Sequence, residues 1–184
     1  MSVAATYREH AQARGFSLIE IFVAVAVLAI LTAAALPSFR ELGRRMTTTT
    51  HSNDIVAALT AAKSEAVKRG VIAGVVGTGS DWSAGGWQVL VDSDNDNALT
   101  GADTVLGSYA PLTNQYAVKT KVTGGNDAQV IFGPQGALST PATAADLNVC
   151  RPDHQAAQSN WVHVSASGEI TSRRDTTSSP APGC

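Results

Sequence analysis

Residues 16–36, FSLIEIFVAVAVLAILTAAAL, form an apolar run of about 21 residues in which only Ser17, Glu20 and Thr32 are strongly polar. That length is close to the roughly 20 residues a helix needs to cross a bilayer. An ordinary secretory signal places its cleavage site after the apolar core and is discarded. Here the candidate junction, Gly15/Phe16, precedes the run, so the helix is retained after cutting. Arg8 and Arg14 lie before it, which directs the N-terminus to the cytoplasm and the remainder outside. A plain anchor accounts for all of this except the glycine–phenylalanine junction and Glu20. A lone carboxylate inside hydrocarbon costs several kcal/mol and is by default functional.

These residues carry a family resemblance. GFSLIE followed by FVAVAVLAILTAAALP resembles the type III signal of type IV pilins and type II secretion pseudopilins, at Gly15, Phe16, Glu20 and Pro37. Ser17 stands where many members carry threonine. The resemblance implies cleavage after Gly15 by a prepilin peptidase and N-methylation of Phe16. It further implies that Glu20 neutralises the new Phe16 amine of a neighbouring subunit during assembly. The electrostatics lead the same way, since in a low-dielectric medium two opposite charges satisfy each other and either alone is disfavoured.

Length limits the part of the chain beyond this helix. The chain has 184 residues, room for one domain and a long anchoring helix but not for two sizeable cores. The expected division is a leader over residues 1–15, a helix over 16–70 with 16–36 in the membrane or filament core, and a β-rich domain over 71–184. That domain holds five basic residues (Lys119, Lys121, Arg151, Arg173, Arg174) against ten acidic ones. Its overall field therefore opposes nucleic acid, which would need a local patch. The two cysteines, Cys150 and Cys184, fall in the part expected outside the cytoplasm, where an even count reads as one disulfide. Closing that loop of about 35 residues would stabilise the fold by roughly 3–4 kcal/mol in the chain-entropy model. A metal site from Cys150, His154 and His163 lacks zinc-like pairing and a fourth ligand, and the disulfide is preferred.

Helical grammar continues beyond residue 36. Pro37 should kink the helix, Gly43 is a soft spot, and the threonines at 47–50 have poor helix propensity and predict local melting. In HSNDIVAALTAAKSEAVKRG, Ile55, Leu59, Ala62, Ala66 and Val67 recur at spacings of three and four as an apolar stripe. Lys68 and Arg69 suit a helix C-terminus, and Gly70 the position after it. After Gly70 short strands are predicted near 71–76, 87–91, 116–122, 129–132, 147–150 and 161–164, separated by turn residues as in antiparallel hairpins. Trp87, Val89 and Val91 alternate with Gln88 and Leu90, so one face can pack on the helix. Residues 137–145 and 176–183 read as loops. The fold class expected is α+β and pilin-like, a long N-terminal helix on a small antiparallel β domain.

The resemblance extends through this region. KSEAVKRG, GGWQVLVDSDNDN, VIFGPQGAL and the late cysteine pair are similar to the GspH/FimT group of minor pilins and pseudopilins. In that group the late segment often carries a glycine-arginine-x-arginine signature linked with DNA binding in transformation. Here it reads Gly168-Glu169-Ile170-Thr171-Ser172-Arg173-Arg174, with a carboxylate where the first arginine belongs. The resemblance thus implies a minor pilin for type IV pilus assembly, with a secretion pseudopilin as the nearest alternative and a DNA-capturing pilin behind it. Its partners would be other minor pilins and the major pilin, the prepilin peptidase and the inner-membrane assembly platform. The implied location is the bacterial inner membrane, with the globular domain periplasmic, and then the pilus tip.

Two further constellations carry chemistry. Asp92, Asp94, Asp96 and Asp103 stand at offsets 1, 3, 5 and 12 of a calcium loop, with Asn97 replacing the usual glycine. The last ligand is normally a longer glutamate, and an acidic hairpin turn explains the same residues. Arg173 and Arg174, with Arg151 brought near by the disulfide, form the only basic patch of the β domain, either a solvated pair or a weak DNA contact. No nucleophile elbow or phosphate-cradling glycine loop is present. The residues call for no enzyme and no cofactor.

Overall fold

Helix α1 runs from Leu18–Arg69, 52 residues, continuing through Pro37 and Gly43. The computed structural model describes residues 16–79, 81–153, 158–174 and 183–184, with Pro37 described by its backbone alone. Gly15 with its leader, Arg8 and Arg14, as well as His154 and nearly all of the 176–183 tail, lie outside those residues. The expected weak point at 47–50 is helical. Each threonine hydroxyl bonds the carbonyl four residues back, Thr47 to Gly43 at 3.1 Å, Thr48 to Arg44 at 2.8 Å, Thr49 to Arg45 at 2.9 Å and Thr50 to Met46 at 3.0 Å. These back-bonds satisfy the hydroxyls inside the helix instead of against it. The helix ends at the expected place: Gly70 has φ 70° and its amide bonds Ala66 at 2.9 Å.

The chain divides into two compact units, the first reaching Glu41 and the second running Leu42–Cys184. In the second, α1 is followed by β1 (Ala73–Gly77), a short α2 (Trp82–Gly85), β2 (Trp87–Val91), β3 (Thr104–Tyr109), β4 (Ala117–Thr123), β5 (Gln129–Phe132), β6 (Ala144–Cys150), β7 (Asn160–Ser165) and β8 (Ile170–Arg174). They form two four-stranded sheets of order β3-β2-β1-β5 and β4-β6-β7-β8, antiparallel throughout. Three elements escape the sequence reading, α2, β3 and β8, and β6 begins inside the stretch read as loop.

The core joins Ile55, Ala58, Leu59, Ala62 and Ala66 of α1 to Trp87, Val89 and Val91 of β2 and to Leu147, Val149, Val162 and Val164 of the second sheet. Val67, assigned to the helix stripe by spacing, is 52% exposed. One residue past Ala66 is about 100° further round the helix, off the buried face. The opposite face of the first sheet has its own cluster, Ile72, Leu90 and Leu99. Leu99 packs close over Gly74, where an added Cβ would stand 2.5 Å from the Val130 carbonyl oxygen and 2.8 Å from Leu99 Cδ1.

His51 packs edge-on against Tyr116 with ring centroids 5.3 Å apart, and the Tyr116 hydroxyl donates to the Arg44 carbonyl at 3.3 Å. Burial pushes the His51 imidazole below its ordinary 6.5, opposed by the Asp54 charge. The unfolded chain therefore takes up this proton first. Stability is complete above pH 6.5 and falls as the pH drops through 6.5 toward the lower folded value. Thermal melting from pH 7.5 to 5 should show that decline, and His51→Gln should flatten it. An unchanged slope in the variant would remove His51 as its origin.

Candidate functional site

The helix start comes first. Phe16 is 80% exposed and the side chains of α1 through Leu36 are exposed throughout, save that of Leu36's neighbour Pro37, which is not described. The helix is long and apolar enough to cross a membrane. Glu20 lies in its first turn, where the free amide ends of the helix favour a carboxylate. Glu20, Ala24 and Leu28, spaced by four on α1, share one face with Ile21 and Val25, and together with Phe16, just before the helix, they line a shallow depression of about 450 Å³. Sequence reasoning pairs Glu20 with the Phe16 amine of a neighbouring subunit; within one chain the two residues line the same depression. A cationic amine at Phe16 and a carboxylate at Glu20 would be the only charges on an otherwise apolar stripe.

The acidic loop is organised by its own carboxylates. Asp92 accepts from the amides of Asn95 at 2.7 Å and Asn97 at 3.1 Å, and Asp96 from Ala98 at 2.8 Å. Asn97 adopts the left-handed conformation its position demanded, with φ 61°. Carboxylate oxygens of Asp92, Asp94 and Asp96 lie within 4.8 Å of one another. Asp103 does not join them. Its oxygens accept from Ser93 at 2.9 Å and Thr100 at 2.7 Å, closing the loop's far end, and the Thr100 and Ser93 amides hold its carboxyl below the usual range. The Asp94 carboxyl, drawn down by the Asp96 amide, is raised overall by lost solvation and the charges of Asp96 and Asp103. The turn reading of this segment thus accounts for every one of these bonds, with Asp103 a clasp in place of a twelfth-position ligand.

The basic patch does not assemble as expected. Arg151 is buried, 1% exposed. Its guanidinium pairs with Asp153 at 2.8 Å and with the Gln158 side chain, and Asp153 also takes Arg44 of α1 at 3.2 Å. A buried arginine held by a carboxylate is withdrawn from any phosphate. Cys150 and Cys184 are bonded, as the cysteine count implied. Arg173 and Arg174 are consecutive on β8, so they point to opposite faces of the sheet. Arg173 lies 4.2 Å over the Trp161 ring, and Trp161 stacks on His163, whose Nδ1 is 2.7 Å from Asp146. Sequence reasoning missed Lys63, which reaches the Gly168 carbonyl at 2.8 Å, and Leu99. A lone leucine in an acidic turn was the available signal for the latter.

An N-terminal helix that is apolar over residues 16–36 with one carboxylate near its start, followed by a domain of two antiparallel sheets, is the build of a pilin-class subunit. The chain belongs to the family described as Type II transport protein GspH, which it matches over residues 51–168, and it matches the Prokaryotic N-terminal methylation motif over residues 11–36. In fold it is similar to the Pseudomonas aeruginosa (strain PAO1) type IV minor pilin FimU in two crystal forms. One superposes with TM-score 0.57 at 16% identity, covering 72% of this chain and 92% of that one. The other gives 0.52 at 16% identity, covering 70% and 94%. No curated protein matches the chain in sequence.

Proposed function

We propose that this chain is a minor pilin, cut after Gly15 and built through its N-terminal helix into a type IV pilus as a subunit of the tip complex. The observation that carries the reading is the stripe shared by Phe16 and Glu20, apolar but for a carboxylate that needs a cation. Before assembly residues 16–36 anchor it in the inner membrane, with the β domain on the periplasmic side. Afterwards those residues pack on the helices of other minor pilins and of the major pilin. The prepilin peptidase and the inner-membrane assembly platform are the partners this route requires. The role is structural, with no chemistry asked of the β domain. FimU, the protein similar in fold, is a type IV minor pilin.

Processing is the first test. Gly15→Leu should leave a full-length precursor on immunoblots, and a normally sized mature band from that variant would overturn the assignment. Sheared pili should contain the mature chain. The second reading, a minor pseudopilin, is favoured by the GspH description of the matched family. Its outcome would be lost protein secretion with pili intact when the chain is deleted. DNA capture is set aside because Arg151 is buried and Arg173 and Arg174 face apart.

A further inference from the structure

Of the four sheet edges, three are closed by the devices that keep strand edges from pairing with other chains. On β5, Ser139 donates to the Ile131 carbonyl at 2.8 Å. On β4, the Asp127 carboxylate takes the Val122 amide at 2.6 Å, and Lys119 and Lys121 line the strand. On β8 stand Arg173 and Arg174, and Ser172 meets Ser52 of α1 at 3.2 Å. The fourth edge, β3, reads TVLGSY, with no charge and no proline. Val105 and Leu106 are 48% and 39% exposed and, beyond Phe16 and α1, are the only large apolar side chains so exposed among the described residues. The β2–β3 register slips by one between Val89 and Leu90, leaving Leu106 without a partner across the pair. Such a bulge re-aims a side chain.

The direction of the free groups comes from the ladder. Asp92 donates to the Ile72 carbonyl at 3.0 Å, so the even-numbered residues of β2 bond to β1 and the odd-numbered ones to β3. Gln88 faces Ser108 across the pair, and the Ser108 amide and carbonyl therefore point away from the sheet. The strand begins at Thr104, next to the loop that carries exposed Asp94 and Asp96. We propose that β3 accepts an extended strand from a neighbouring pilin subunit, uncharged along its middle and carrying a lysine or arginine at the end beside Asp94 and Asp96. Main-chain bonds supply affinity in such strand addition, and the flanking charge selects partner and direction. The proposal rests on the pilin reading and names the contact through which the β domain joins it.

The test uses the full-length chain in cells, with photoreactive benzoylphenylalanine at Val105. Illumination should give an adduct with another subunit that carries the Gly-Phe-x-x-x-Glu signal, mapped by mass spectrometry to an extended segment ending in a basic residue. Ser108→Pro removes the outward donor without touching the β2–β3 bonds, and Leu106→Lys adds a charge to the edge. Each should lower the adduct at least tenfold while the purified variants keep their disulfide and melting temperature. A variant that loses its melting transition is replaced by Asp94→Lys/Asp96→Lys, which should lower the adduct fivefold or more. No adduct, an adduct only with a second copy, or one with a protein lacking the signal would each overturn the proposal. Absence of an adduct from a chain still found in sheared pili would do so while leaving the pilin reading intact.

Discussion

Replacing Glu20 with alanine is expected to leave the chain membrane-bound and normally cut while lowering its recovery in filaments by tenfold or more. The stripe that carries Glu20 offers only Phe16, Ile21, Ala24, Val25 and Leu28 as company. An unpaired carboxylate in hydrocarbon costs about 2.5–3.5 kcal/mol or more, and a hydrogen bond to a charged group contributes about 1.5–3 kcal/mol. Losing a pairing of about 2 kcal/mol shifts an assembly equilibrium roughly thirtyfold. Glu20→Gln keeps shape without charge and should behave nearly as badly. Immunoblots of sheared filaments beside membrane fractions measure the split. Alanine recovered in filaments at the native level would remove the carboxylate from assembly, whatever happens at Gly15.

How much could be read beforehand depended on where the physics was local. The apolar helix, its end at Gly70, and the inward Trp87, Val89 and Val91 come from periodicity, and the structure has each of them. Strand β3 was invisible because TVLGSY neither alternates nor is buried, being an edge strand with a bulge. Strand β8 was not read as a strand because ITSRR has one apolar residue and no alternation, and four of its five residues are exposed, held by the ladder to β7. The error over Arg151 was of another kind. Sequence puts it beside Cys150 and two residues from Asp153, yet its burial and the closure of Asp153 and Gln158 on its guanidinium come from the fold. Glu20 stood out because it is the one charged residue in the apolar run of residues 16–36.

Gly168→Ala should destabilise the β domain by roughly 3–5 kcal/mol, because two independent costs coincide. Gly168 has φ 78°, which strains any residue with a Cβ, and an added Cβ would lie 1.8 Å from the Gly136 carbonyl oxygen. That oxygen is main chain and cannot swing aside, so the β7–β8 turn must separate from the turn after β5. Separation would also pull the Gly168 carbonyl from Lys63, bonded at 2.8 Å. The expected fall in melting temperature is roughly 6–20 °C for a domain of this size. Gly43→Ala is the control, as its Cβ would meet nothing within 4 Å and alanine in mid-helix should stabilise by about 0.5–1 kcal/mol. If both substitutions move the melting point alike, the clash at Gly136 is not what holds this turn. If only Gly168→Ala is costly, the glycine that opens the arginine signature of the GspH/FimT group has a packing role here. It would then persist in a chain whose next residue, Glu169, repels phosphate.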